Sequence, residues 1–510
     1  MKVFENNYIK DVIKNAIVAI SFLLLGSAYA QEKPNIILIM ADDLGYGDVG
    51  FNGNKVIKTP SMDRLAESGM KFTNFYAGGP VCSPTRGTVL TGRHYFRYGV
   101  FSANIGHLPK EEVVLPEVLK EEGYTTGHFG KWHLGTLSRE VSPKGPKRKP
   151  AENYSPPSFH SYDQSFVTES AVGTWNPSVG GRYHNNPYYF NGVEETENLA
   201  GDDSRVIMDR VLPFIEGAAK EKKPFLSVIW FHTPHEPVIA GPEYKKMYSE
   251  FSDGLQDYYG AVTAMDDQIG RLQAKLEALD IDENTIIWFC SDNGPEGKEQ
   301  TDKRPGSTGG LRGRKRSLYS GGVGVPAFVV WPNKVKPGSS TGYISGTLDY
   351  LPTIMDALNI KMQDDRPIDG VSLVNMLEGK EAQRTKPLPF MHRGKATWIQ
   401  GDLKYVTAGK RTVEVYNLKK DRFEENNLIA EYAEQAKEMD KHIMDWNLSC
   451  KDSHAGKDYS NTNFKSVDKW SGLDIDRKEK KAEKAKKVKK AKKGKKAKKG
   501  SKNKKRKKKQ

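Results

Sequence analysis

The 510-residue chain has only three cysteines, Cys82, Cys290 and Cys450. So few exclude the disulfide framework that holds small secreted domains together, although Cys290 and Cys450 leave one pairing open in an oxidising compartment. No internal repeat is present, which argues against a solenoid or propeller. Long apolar runs are also missing. The stretch Ala16–Leu25 is too short to span a bilayer comfortably. Preceded by Lys10 and Lys14 and followed by Ala28-Tyr29-Ala30, it reads as a signal peptide over residues 1–30, cut before Gln31. Export to the periplasm or secretion is therefore expected, with an uncleaved anchor as the alternative.

The body of the chain carries no net positive charge, despite a formal total of +15. Residues 477–510 alone carry +20 and residues 1–30 carry +1, which leaves −6 for residues 31–476. The Lys/Ala/Gly-rich end, residues 471–510, is expected to be a disordered basic tail, because like charges at that density repel. The whole chain is 37% hydrophobic and 10% aromatic, a composition suited to a large buried core.

That core announces itself as continuous apolar runs. Asn35–Met40, Phe225–Phe231, Thr285–Cys290 and Pro326–Trp331 each read as a strand buried on both faces of a mostly parallel sheet, and Gly123–Phe129 is a short strand candidate beside them. Leu255, Tyr259, Val262, Ile269, Leu272, Leu276 and Leu279 recur at helical spacing and predict an amphipathic helix packed on that sheet. Residues 137–200, rich in Pro, Gly, Tyr, His and Asn, show no period and read as a surface excursion. Short strands around Thr397–Gln400, Leu403–Thr407 and Val413–Asn417, with a helix over Ile429–Trp446, predict a smaller antiparallel unit. The expected organisation is an α/β catalytic domain over residues 31–375 with a large mostly parallel sheet flanked by helices. A C-terminal antiparallel sheet plus helix unit follows over residues 376–470.

Four of the runs end in polar residues: Asp42-Asp43, Gly130-Lys131-Trp132-His133, His232-Thr233-Pro234-His235 and Asp292-Asn293. In open α/β sheets, ligands sit beyond the carboxyl ends of the strands, so these groups are expected to converge. Asp42, Asp43, Asp292 and Asn293 offer hard oxygen ligands, suited to Ca²⁺ or Mg²⁺ rather than zinc. Beside them Arg86, Lys131, His133, His235 and Lys315 supply cationic donors fit for an oxyanion ester. Cys82 stands just before Ser83, a candidate N-cap, and Pro84, a candidate first helical residue. On these residues alone Cys82 is either a reactive group at a helix start or a small buried hydrophobe.

Cys82-Ser83-Pro84-Thr85-Arg86 with Thr91-Gly92-Arg93 resembles the motif of the formylglycine-dependent (type I) sulfatases of the alkaline phosphatase-like superfamily. The likeness continues through Gly123-Tyr124-Thr125-Thr126, Gly130-Lys131-Trp132-His133, Pro234-His235-Glu236-Pro237, Ser291-Asp292-Asn293-Gly294 and Leu311-Arg312-Gly313 with Lys315. In the C-terminal unit it takes in Tyr416–Asp421 and Asn426-Asn427-Leu428, so it spans roughly residues 33–435. The resemblance implies that a maturation enzyme converts Cys82 to formylglycine, whose hydrate is the nucleophile. It implies one Ca²⁺ on Asp42, Asp43, Asp292, Asn293 and the modified Cys82. Arg86 would steady the hydrate and Lys131 and Lys315 would hold sulfate oxygens. His235 would protonate the leaving alcohol, with His232 as its neighbour and rival, and His133 would take the proton whose loss releases sulfate. The chain departs from the family at Ser320-Gly321-Gly322-Val323-Gly324-Val325-Pro326, which lacks an acid and an arginine often found there, and at Phe129, usually a smaller residue.

The expected activity is hydrolysis of sulfate esters of a carbohydrate or polysaccharide. The rivals are a phosphodiesterase or phosphonate hydrolase of the same superfamily, and a polyanion-binding protein with a vestigial site. The tail is expected to meet anionic polysaccharide or an acidic cell surface. A nucleic-acid partner fits poorly with a signal peptide.

Overall fold

Asn35–Ala41 is buried throughout and pairs in parallel with Phe225–Trp230 on one side and Thr285–Ser291 on the other. Alternation along this strand divides the core in two. Ile36, Leu38 and Met40 enter one apolar cluster, and Ile37, Ile39 and Ala41 the other. A strand with no polar face is stable only when both sides are covered, and helices cover both here.

The computed structural model describes residues 33–177, 186–407 and 412–473, so the expected signal peptide and the basic run from Arg477 lie outside the described residues. Among these residues the main sheet has ten strands. Thr125–Lys131 and Gln164–Thr168 extend the parallel portion beyond Phe225–Trp230. On the far side Ala327–Val330 runs antiparallel to Thr285–Ser291 and leads to Met70–Phe72 and Ser339–Thr341. The helix Asp253–Ala278 lies on one face through Val262, Met265, Ile269, Leu272 and Leu276, joined by Asp203–Lys220 and Pro60–Ser68. Tyr258 is the buried aromatic of the long helix, while Tyr259 is only partly covered. The other face carries Leu115–Glu121, Tyr350–Ala357 and the helix Cys82–Thr91, which is buried along its whole length. Among the described residues no helix is long and apolar enough to cross a membrane.

Residues 137–200 are not merely a surface excursion. They contribute Gln164–Thr168 to the sheet and the short edge pair Tyr189–Phe190 and Val193–Glu194. The Gln164–Thr168 strand is short and mixed in polarity, and its period is lost among flanking Pro, Tyr and Asn.

The antiparallel unit has four strands, Leu388–His392, Lys395–Gln400, Leu403–Thr407 and Val413–Asn417. Leu388, Phe390 and Ile399 pack with Tyr76, Val323 and Leu348 of the larger domain. The opposite face, with Trp398, Tyr405 and Val415, is covered by Ala436, Met439 and Ile443 of the helix Ala433–His454. Buried ion pairs bind this end of the chain to the loop after Thr91. Arg97 bonds Asp369 at 2.7 Å together with Ser449 and Ser453, and Arg93 pairs with Glu112 and Asp458. Cys82, Cys290 and Cys450 are all free and buried, so Cys290 and Cys450 do not pair.

Candidate active site

Thr285–Ser291, Asn35–Ala41, Phe225–Trp230 and Thr125–Lys131 are neighbours in that order and run the same way. Their carboxyl ends therefore deliver Asp292-Asn293, Asp42-Asp43, His232 to His235 and Lys131 to His133 along one edge of the sheet. The Cys82–Thr91 helix starts at this edge, with the Cys82 Sγ 3.2 Å from Asp42 Oδ1.

Three buried carboxylates face three buried cations. Arg86 donates to Asp292 Oδ2 at 2.7 Å and 3.2 Å, to the Lys131 carbonyl at 3.2 Å, and lies 5.2 Å from the Trp230 ring centre. Lys131 Nζ donates to Asp42 Oδ2 at 2.5 Å, and Lys315 Nζ to both oxygens of Asp43 at 2.6 and 2.7 Å. Removing one partner from such a pair leaves a charge without water, so the set acts as a unit.

Electrostatics differ sharply between neighbours. Burial works to raise Asp42, but Lys131, His235, Arg86 and Lys315 overcome it and hold the carboxyl well below its usual range. Burial and the charge of Asp42 push Asp292 up to about 7. Burial, reinforced by Asp292 and Asp42, drives the Cys82 thiol well above its ordinary range. That direction favours the thiol over the nucleophilic thiolate.

Asp42, Asp43, Asp292 and Cys82 offer ligand atoms that all lie within 4.8 Å of one another. Asn293 Nδ2 donates to Asp43 Oδ1 at 2.6 Å, while its own Oδ1 is buried without a hydrogen-bond partner. A buried unpaired amide oxygen beside mutually repelling carboxylates is satisfied by a hard cation. The residues present fit a metal ion of that class.

The histidines divide by their partners. His232 is wholly buried and bound to Asp203 at 2.8 Å, Thr168 Oγ1 at 2.8 Å and Tyr188, which ties it into the scaffold. His235 is part-exposed. Its Nδ1 lies 2.7 Å from the Glu236 carbonyl and its Nε2 faces Asp43 at 3.9 Å. Burial lowers His235 to about 4. His133 is buried, with Nε2 at 2.8 Å from Asn104 Oδ1.

Residues 34–360 match the family model described as Sulfatase. The chain belongs to the sulfatase family. The sulfatase is 32% identical to the N-acetylgalactosamine-6-sulfatase of Mus musculus over 394 residues, covering 74% of this chain and 72% of the mouse protein. It is 30% identical to arylsulfatase G of Rattus norvegicus over 417 residues, covering 74% of each. Among solved structures it resembles Ps i-CgsB in complex with k-i-k-neocarrahexaose, with a TM-score of 0.72 and 25% identity, covering 84% of this chain and 95% of that one. These relatives make the sulfatase a sulfuric ester hydrolase with the expected alkaline phosphatase-like fold.

The structure gathers Cys82, Arg86, Lys131, Lys315, Asp42, Asp43, Asp292, Asn293, His133 and His235 at one site. Some local expectations change. Ser83 does not cap the helix, which begins at Cys82 with Val81 in the capping position and no side-chain cap. Pro84 consequently sits in the third helical position rather than the first. Its missing N–H falls among donors that a helix start leaves unbonded anyway, so the shift is tolerated. Of the basic residues near Gly313, Lys315 alone reaches Asp43, while Arg314 bonds the Glu296 carbonyl and Arg316 the Glu296 carboxylate. Where the family's acid is missing, Glu424 arrives from the C-terminal unit, accepting from Ser320 N at 2.7 Å and pairing with buried Lys404. Phe129 fills core space against Phe214. Sequence reasoning missed Trp230, Glu296, Asp203 and Asn104, which steady the site from positions no motif marks.

Proposed function

We propose that this sulfatase is exported and removes sulfate from a sulfated carbohydrate, using formylglycine made from Cys82 by a maturation enzyme, with one Ca²⁺. The observation that carries the reading is the convergence of Cys82 with Asp42, Asp43 and Asp292, ligand atoms within 4.8 Å of one another, beside Arg86, Lys131 and Lys315. Buried among carboxylates, a thiol suits a precursor better than a working thiolate. The carbohydrate class is supported by relatives named for N-acetylgalactosamine 6-sulfate and solved with neocarrahexaose. Comparing turnover of an aryl sulfate with the matching aryl phosphate tests the ester class, and a strong phosphate preference would reject it.

Ca²⁺ would be held by Asp42, Asp43, Asp292 and Asn293, and the aldehyde hydrate would supply an activated hydroxyl to attack sulfur. Arg86 is fixed by Asp292 and Trp230, so its position costs no reorganisation during reaction. Each ammonium has three donors, so Lys131 and Lys315 keep donors for sulfate oxygens while paired to Asp42 and Asp43. Beside Asp43 lies a cavity lined by Glu236, Tyr258, Glu296, Lys303 and Arg304, which we assign to the sugar. His133 takes a proton as sulfate leaves.

His235, lowered to about 4 at rest, is assigned to protonation of the leaving oxygen once the bound sulfate anion has raised it, a service that matters in proportion to how poor the leaving group is. His235→Gln is expected to slow a sugar sulfate about 100-fold. A nitrophenyl sulfate, which departs as a stable phenolate, should slow far less. Equal losses on both substrates in steady-state assays would contradict the assignment.

The basic run 477–510 is proposed to hold the enzyme near anionic polysaccharide or an acidic cell surface. Its deletion should abolish retention on a sulfated polysaccharide column at low salt and leave turnover of a small ester unchanged. Retention that survives deletion, or ignores salt, would reject this role.

A further inference from the structure

Asn104 lies 29 residues before His133 in sequence, yet its side-chain oxygen is 2.8 Å from the histidine Nε2. An amide oxygen only accepts, so the shared proton belongs to Nε2. A neutral imidazole has a single N–H, which leaves Nδ1 carrying the lone pair. Nδ1 of His133 is buried and has no hydrogen-bond partner. Burial, followed by Lys131, Arg86 and Lys144, lowers the His133 pKa well below its ordinary value, so the ring is neutral.

Backbone conformation offers a competing reason for an asparagine at this position. Residues Ser102–Ile105 form a tight turn in which Ile105 N donates to Ser102 O at 3.2 Å, and Asn104 has φ of 61°. Asparagine tolerates that left-handed conformation better than most residues. Glycine tolerates it equally well but carries no acceptor, and this difference separates the two roles.

We propose that Asn104 is a positioning residue that fixes the His133 ring in its Nε2–H tautomer, so that Nδ1 is the lone pair that accepts the proton during sulfate release. The use made of Nδ1 rests on the reading of His133 as the base. In the step the O–H bond breaks and its proton joins Nδ1, the freed electron pair forms the aldehyde C=O, and the C–O bond to sulfate breaks with its pair leaving on sulfate. The resulting imidazolium later returns that proton to water.

Nitrogen-15 NMR of histidine-labelled protein reads the tautomer without any turnover, with the His133 signals identified by their loss in His133→Gln. The wild type should show protonated Nε2 and bare Nδ1. Asn104→Asp keeps the acceptor and should keep that state, whereas Asn104→Gly should show exchange between tautomers. In parallel, kcat of Asn104→Gly should fall about tenfold at nearly unchanged KM, with most activity kept by Asn104→Asp. A wild type protonated on Nδ1, or a glycine variant with the wild-type tautomer, would overturn the proposal. A changed tautomer with unchanged kcat would uphold the grip of Asn104 on the ring and reject His133 as the base. The wild-type spectrum decides the matter even if the glycine variant fails to fold.

Discussion

Cys82→Ala is expected to abolish sulfate-ester hydrolysis, lowering kcat by roughly 10⁴-fold or more, and to leave the fold intact. The side chain is small and its one recorded polar contact is with Asp42 at 3.2 Å. A thiol is a weak donor, so its loss should cost about 1 kcal/mol, and alanine is the residue a helix tolerates best. The ion pairs around it, from Arg86 to Asp292 and from Lys315 to Asp43, do not depend on sulfur. Circular dichroism melting should therefore move by only a few degrees while turnover vanishes. Retained turnover would remove Cys82 from the chemistry, and an unfolded variant would make it a structural residue.

Chelation of the proposed cation should have the next largest effect. Asp42, Asp43 and Asp292 converge with ligand atoms inside 4.8 Å, and Asn293 Oδ1 has no other partner. Without a cation Arg86 stays held by Asp292 and Trp230, but the attacking hydroxyl loses the charge that activates it. Activity of chelated enzyme should fall at least about 100-fold and return on addition of Ca²⁺. Because the ion binds only the folded arrangement, Ca²⁺ at about 100 times its Kd should also add about 2.7 kcal/mol of stability, seen as a raised melting temperature. Full activity and an unchanged melting temperature after exhaustive chelation would contradict a metal at this site.

Much of this site is legible in the sequence because three of the four strands that carry it are continuous apolar runs, the Thr125–Lys131 strand being the exception. Such runs fix both where a buried strand lies and where it must end, and Asp42, His235 and Asp292 stand at or just past those ends. Gln164–Thr168 and Leu388–His392 escaped notice for the opposite reason. Each is short, and its neighbours mask the alternation that would mark it. The choice between His232 and His235 rested on motif spacing in the sequence. In the structure it rests on Asp203, which lies on another element and anchors His232 out of reach. The expected cap at Ser83 lies two residues past the actual one at Val81, because Ser83 and Pro84 suit a helix start equally well in more than one register. Asn104 carried no signal at all, being a loop residue whose importance appears only when the turn is folded against His133.

The central claim is that Cys82 is a precursor and not the working group. Mass spectrometry of the peptide containing Cys82, taken from enzyme with measured sulfatase activity, tests it most directly. The expected result is a peptide lighter by the exchange of CH₂SH for CHO, in a fraction that rises and falls with specific activity. Fully active enzyme whose Cys82 is entirely unmodified thiol would contradict the account.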